Sequence, residues 1–102
     1  MSILHTVNKS PFERNSLESC LKFAQGGSSV LLIEDGIYAA LKGTSAEGQV
    51  KAALDNLSVY VLGPDLAARG FHQERVIEGV EVVDYAAFVD LAAENDKVHA
   101  WL

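Results

Sequence analysis

The sequence predicts an α/β protein: an open, mostly parallel sheet of about five strands with helices on both faces, flavodoxin-like in architecture. Three observations carry that expectation. Short β-branched runs alternate with helix-period segments along the whole chain. The runs Ser29–Ile33 and Val59–Leu62 lack polar alternation, as strands buried on both faces do. The connections between runs are long enough for helical crossovers, which parallel strands require. At 102 residues, 49% apolar and 22% charged, the chain fits one domain spanning 1–102 and is far from a disordered composition.

Taken in order, Ile3-Leu4-His5-Thr6-Val7 reads as a first strand. Ser10-Pro11-Phe12-Glu13 combines a capping serine, a proline suited to the first helical turn and a capping-box glutamate, and so predicts a helix start. Leu17, Cys20, Leu21 and Ala24 form its apolar stripe, and Gly26-Gly27 ends it. After the second strand comes a Glu34-Asp35-Gly36 turn, then a short helix over Ile37–Leu41. Thr44-Ser45-Ala46-Glu47 predicts another capping box, with Val50, Ala53, Leu54 and Leu57 behind it.

The third strand stops at Gly63-Pro64. Asp65 is expected to cap a turn of helix over Leu66–Arg69, closed by Gly70. Val80–Val83 is the fourth strand. Asp84 caps a last helix whose core face is expected to hold Tyr85, Phe88, Val89 and Ala92. His99–Leu102 completes the sheet. Neither sheet edge is heavily charged, so an oligomer is expected.

Charge and motif content narrow the function. Residues 1–51 carry five basic and five acidic side chains, residues 52–102 three and nine, so the net charge of −6 belongs to the second half. No basic stripe is present to neutralise a phosphate backbone, and direct nucleic-acid binding is not expected. The longest aliphatic run, Val30–Ile33, is far below the ~20 residues of a membrane span, and the first residues do not read as a signal peptide, which gives a cytoplasmic expectation. Neither the P-loop nor the dinucleotide fingerprint occurs, no histidine pair has metal-ligand spacing, and no cofactor is expected.

Ligands of doubly wound sheets bind beyond the carboxyl ends of the strands. Here those ends are Asn8-Lys9-Ser10, Glu34-Asp35-Gly36 and Gly63-Pro64-Asp65. Lys9 and Ser10 are either an anion contact or a plain helix cap. Glu34 and Asp35 read as an acidic turn. His5 is expected to be a buried, hydrogen-bonded histidine and His72 an exposed one. Trp101 either locks the last strand onto its own domain or fills a partner's pocket. Cys20, the single cysteine, is the one residue able to carry sulfur chemistry, yet its place on the apolar stripe equally suits a packed core residue.

The segment Leu4-His5-Thr6-Val7-Asn8-Lys9-Ser10-Pro11 resembles the opening of the DsrH/TusB family. So do the run Leu31–Gly36, the stretch Val59–Leu62 with Asp65-Leu66 and Ala68-Arg69-Gly70, the residues Asp84-Tyr85 and Phe88–Leu91, and the terminal Ala100-Trp101. The resemblance implies a subunit of a cytoplasmic sulfurtransferase complex, a dimer of heterotrimers with DsrE/TusD-type and DsrF/TusC-type sisters. Such complexes relay persulfide sulfur to a small TusE/DsrC-type carrier. Because DsrH-like members carry a first-helix cysteine, Cys20 tilts the expectation towards intracellular sulfur oxidation, with Cys20 as an auxiliary catalytic thiol. The alternatives are the same relay serving tRNA wobble 2-thiouridine synthesis, and a scaffold subunit without thiol chemistry of its own.

Overall fold

A computed structural model describes residues 2–24 and 26–102. Five strands, β1 (Ile3–Val7), β2 (Ser29–Leu32), β3 (Ser58–Leu62), β4 (Glu81–Val83) and β5 (Lys97–Trp101), form one sheet in the order β4-β3-β2-β1-β5. Every neighbouring pair is parallel. The expected class is therefore observed, with a strand order that departs from the flavodoxin order 2-1-3-4-5.

The departure has a physical origin in the direction of the crossovers. From β1 to β4 the chain steps the same way each time, so right-handed connections place their helices on one face. These are α1 (Ser16–Phe23), a 3-10 segment (Glu34–Ala40), α2 (Glu47–Ala53) and α3 (Gly63–Ala68). The last connection turns back across the sheet to the free side of β1, which puts α4 (Tyr85–Glu94) on the other face. Two apolar clusters follow from this. Val7, Val30, Leu32, Val59 and Val61 meet Leu17, Cys20, Ile37, Val50 and Leu66 on the first face. Leu4 and Leu31 meet Leu91 and Phe88 on the second. Strand alternation alone sorts these residues, since successive side chains point to opposite faces.

Several local expectations are corrected. The helix does not begin at Ser10: residues 11–13 form a turn in which the Ser10 hydroxyl accepts from the nearby amide of Phe12 at 3.1 Å, and α1 starts at Ser16. The short serine side chain finds a donor two residues on before a helix can offer one. Thr44 and Glu47 also miss their reciprocal box. Thr44 Oγ1 accepts from Ala46, and Glu47 Oε1 accepts from the amide of Gly43 at 2.6 Å, one position earlier than a capping box would have it.

Asp65 lies inside α3, which starts at Gly63 directly after β3, so it is not the cap. On α4 the buried face is Phe88, Leu91 and Ala92, whereas Tyr85 and Val89 are 59% and 67% exposed. Asp84 does cap that helix, its carboxylate accepting from Ala87 at 2.8 Å.

Candidate functional site

Cys20 sits on the inner face of α1, above β1, with no solvent exposure. Removal from water penalises the thiolate and pushes its pKa up to about 12. An open groove of about 430 Å³ lies between α1 and α2, lined by residues including Leu21, Ala24, Ala53 and Leu57, but Cys20 is not part of its wall. The stripe that places Cys20 in the helix also hides it.

At the β1–β5 side of the same face, α1 and the two strands bring together four rings from three separate elements. His5 is fully buried, and its Nδ1 accepts a hydrogen bond from Trp101 Nε1 at 3.0 Å. His99 stacks on Trp101 with ring centroids 4.5 Å apart and planes 4° from parallel. Phe23 of α1 meets both His99 and Trp101 edge-on, at 5.9 and 5.7 Å. The register explains the grouping, because His5 pairs with His99 and Val7 with Trp101, so all four side chains point the same way.

Since Nδ1 of His5 accepts, the neutral ring holds its proton on Nε2, and that atom is buried without a hydrogen-bond partner among the described residues. Burial, reinforced by the neighbouring His99, lowers the His5 pKa below its ordinary value. His5 is thus buried as expected but only half satisfied. Trp101 fastens β5 to its own domain. His72 lies exposed in a loop.

The carboxyl ends of β1, β2 and β3 carry a second constellation. Glu34 has a left-handed backbone (φ 50°), and its amide donates to Asp65 at 2.6 Å. Arg69 reaches back from just beyond α3 to Asp35, with Nε at 3.1 Å and Nη2 at 3.0 Å from the same oxygen. A β-carbon on Gly36 would overlap the carbonyl oxygen of Val7, so only glycine lets this turn seat against the end of β1. The acidic turn is thereby held by α3, a role for Asp65 and Arg69 that local sequence patterns did not signal.

Lys9 and Ser10 do not stand at a helix start, and Ser10 Oγ is engaged by Phe12. Next to them the Asn8 side-chain oxygen is buried without a partner among the described residues. At the reversal of strand order, between β1 and β5, Ser16 donates to the carbonyl of Leu102 at 3.3 Å, so the chain itself bridges that end of the sheet. Among the described residues no group of three or more His, Cys, Asp or Glu side chains is placed to hold a metal ion. Among the described residues no helix is long and apolar enough to cross a membrane.

The parallel sheet with its single reversal defines an α/β protein. Its fold is shared with the E. coli ychN protein (TM-score 0.82, 20% identity, 98% of both chains covered) and with MTH1491 of Methanobacterium thermoautotrophicum (TM-score 0.76, 15% identity, 97% of both). The DsrH-like protein family matches residues 9–98. Relatives named Protein TusB are 39% identical in Erwinia tasmaniensis and 34% identical in Pectobacterium parmentieri, each alignment covering 97% of this chain and all of the relative. The chain belongs to the DsrH/TusB family.

Proposed function

We propose that this chain is a scaffolding subunit of a sulfur-relay complex, assembled with two sister subunits of related fold and docking a small sulfur-carrier protein. The observation that carries the reading is the match of residues 9–98 to the DsrH-like family and of 97% of the chain to TusB relatives. In such a relay an acceptor thiolate attacks the outer sulfur of a donor persulfide. A new sulfur–sulfur bond forms, the old one breaks and the donor departs as a thiolate, with no net oxidation or reduction. The TusB relatives favour a relay that serves tRNA wobble-uridine thiolation over one in sulfur oxidation.

Within this reading Cys20 is a packing residue. Its lack of exposure and a pKa pushed up to about 12 by burial support this assignment, because sulfur transfer needs an accessible thiolate. The competing assignment, Cys20 as an auxiliary sulfur acceptor, requires α1 to lift from β1 on assembly. The test is to co-express the chain with its sisters, load the complex with a sulfur donor and weigh each subunit intact. The expected result is sulfur on a sister subunit and on the carrier, none on Cys20, and undiminished transfer with Cys20→Ala. Sulfur on Cys20 overturns the scaffold assignment. A chain that ignores its sisters and turns over a metabolite unaided overturns the reading as a whole.

A further inference from the structure

The two edges of the sheet are finished differently. β4 is three residues long and opens on the exposed Glu81, a short charged edge of the kind that discourages pairing. β5 is five residues long, contains no proline and carries Lys97 as its only formal charge. Pairing with β1 fixes the direction of its main-chain groups. The amide of Lys97 donates to the carbonyl of Ser2, so Lys97, His99 and Trp101 turn their amides and carbonyls towards β1. Direction alternates along a strand, and those of Val98 and Ala100 therefore face outward, with no partner among the described residues.

Both sides of this edge are apolar. On the face of α1, Phe23 meets His99 and Trp101 and is 59% exposed. On the face of α4, Val98 is 50% exposed. The nearby acids are occupied or turned away. The Asp96 carboxylate accepts from the amide and hydroxyl of Ser2 at 2.9 and 3.3 Å, and Glu18 of α1 is paired with Lys22. Asp90 and Glu94 lie within about 60° of Ala87 round α4. Ala87 lines a groove with Glu81 and Val82, so both acids stand away from β5.

The geometry points to β5 as the seat of a second copy of this chain, whose own β5 runs antiparallel to it about a twofold axis at His99. A row of outward amides and carbonyls is met by another extended strand. Self-complementarity selects which strand. Outward groups must meet outward groups, and the register centred on His99 is the one that engages all of β5 in both copies. There Val98 and Ala100 of one copy exchange main-chain hydrogen bonds with Ala100 and Val98 of the other. Lys97 falls opposite Trp101 of the other copy, a cation against an aromatic ring and not against a second cation. The excess of acid that gives the chain its net charge of −6 stays clear of the axis. This inference goes beyond the sulfur-relay reading and does not rest on it.

Sedimentation equilibrium of the full chain tests the pairing, with melting curves confirming that each variant folds. The wild type is expected to dimerise below about 0.1 mM. Val98→Pro deletes only an outward N–H, which an edge strand tolerates. It is expected to weaken the dimer at least about tenfold, because the twofold axis removes the bond twice. Glu81→Lys, on the other edge, is expected to leave the dimer unchanged. In a Cys20→Ala background, His99→Cys is expected to form a disulfide between copies under mild oxidation and Glu81→Cys is not, since directly opposed residues of an antiparallel pair lie within disulfide reach. Should Val98→Pro unfold, Ala100→Pro replaces it, and the cross-link decides alone if both unfold. A chain monomeric at every concentration, a dimer indifferent to the prolines, or a cross-link through position 81 but not 99 overturns the proposal. So does an edge that pairs only with a sister subunit, seen as Val98→Pro disrupting the mixed complex while the isolated chain stays monomeric. None of these results bears on sulfur loading of the sisters, so the relay reading stands or falls separately.

Discussion

The indole N–H of Trp101 donates to Nδ1 of His5, joining the last strand to the first across 96 positions of sequence. Parallel pairing of β1 with β5 makes the contact geometrically natural, and burial of the imidazole makes it energetically consequential. Trp101→Phe keeps an apolar ring but strips His5 of its one hydrogen bond, leaving both ring nitrogens unpaired. The expected loss is about 1–3 kcal/mol in urea denaturation, with β5 amides losing hydrogen-exchange protection first.

The lowered His5 pKa sets a direction for pH dependence. A histidine that resists protonation in the folded state binds its proton more readily when unfolded, so the unfolded chain takes up more protons below the ordinary histidine range. Stability from this group is full above about pH 6.5 and falls as pH drops through that value towards the folded pKa. Protonation also turns Nδ1 from acceptor to donor and breaks the Trp101 bond. His99→Ala, which removes the neighbouring charge, is expected to raise the His5 pKa, readable by NMR titration of the ring.

Cys20 is expected to react with a disulfide reagent at pH 8 at least about a hundredfold more slowly than free cysteine, and at the ordinary rate in denaturant. Native reactivity equal to that of the unfolded chain would show that α1 opens readily over β1.

The turn at the carboxyl end of β2 separates two glycine effects. Gly36→Ala forces a methyl group into the Val7 carbonyl and is expected to cost on the order of 3 kcal/mol or more. Gly48→Ala, on the exposed face of α2 with open space around it, is expected to stabilise by about 0.5–1 kcal/mol. Thermal melts of the two variants, moving in opposite directions, check the assignment.

Removing the cap of α4 with Asp84→Ala frees the amide of Ala87 and is expected to cost about 1 kcal/mol.

Much of this structure was legible from local pattern. Five strands, the Asp84 cap and the inward stripe of Leu17, Cys20 and Leu21 all follow from period and composition. What escaped depends on contacts distant in sequence or on competition between close alternatives. Ser10 carries the composition of a helix cap, but its hydroxyl is satisfied within a tight turn. On α4 almost every position is apolar, so spacing could not separate the buried Leu91 from the exposed Val89. Strand order was beyond reach because nothing local in β4 or α4 states which way the chain will travel next. The Arg69–Asp35 and Trp101–His5 pairs arise only once crossovers have folded back. For Cys20, sequence showed a residue both chemically singular and placed on an apolar stripe, and the structure places it in the core.

The return of β5 to the free side of β1 has a consequence for the chain during translation. Residues 97–101 are made after the other four strands, yet they complete the pairing of the strand made first. Until then β1 presents an open edge and His5 has no indole to meet. The sheet therefore closes only once β5 has been made, and in that interval its earliest strand is the one most open to chaperones and to mispairing.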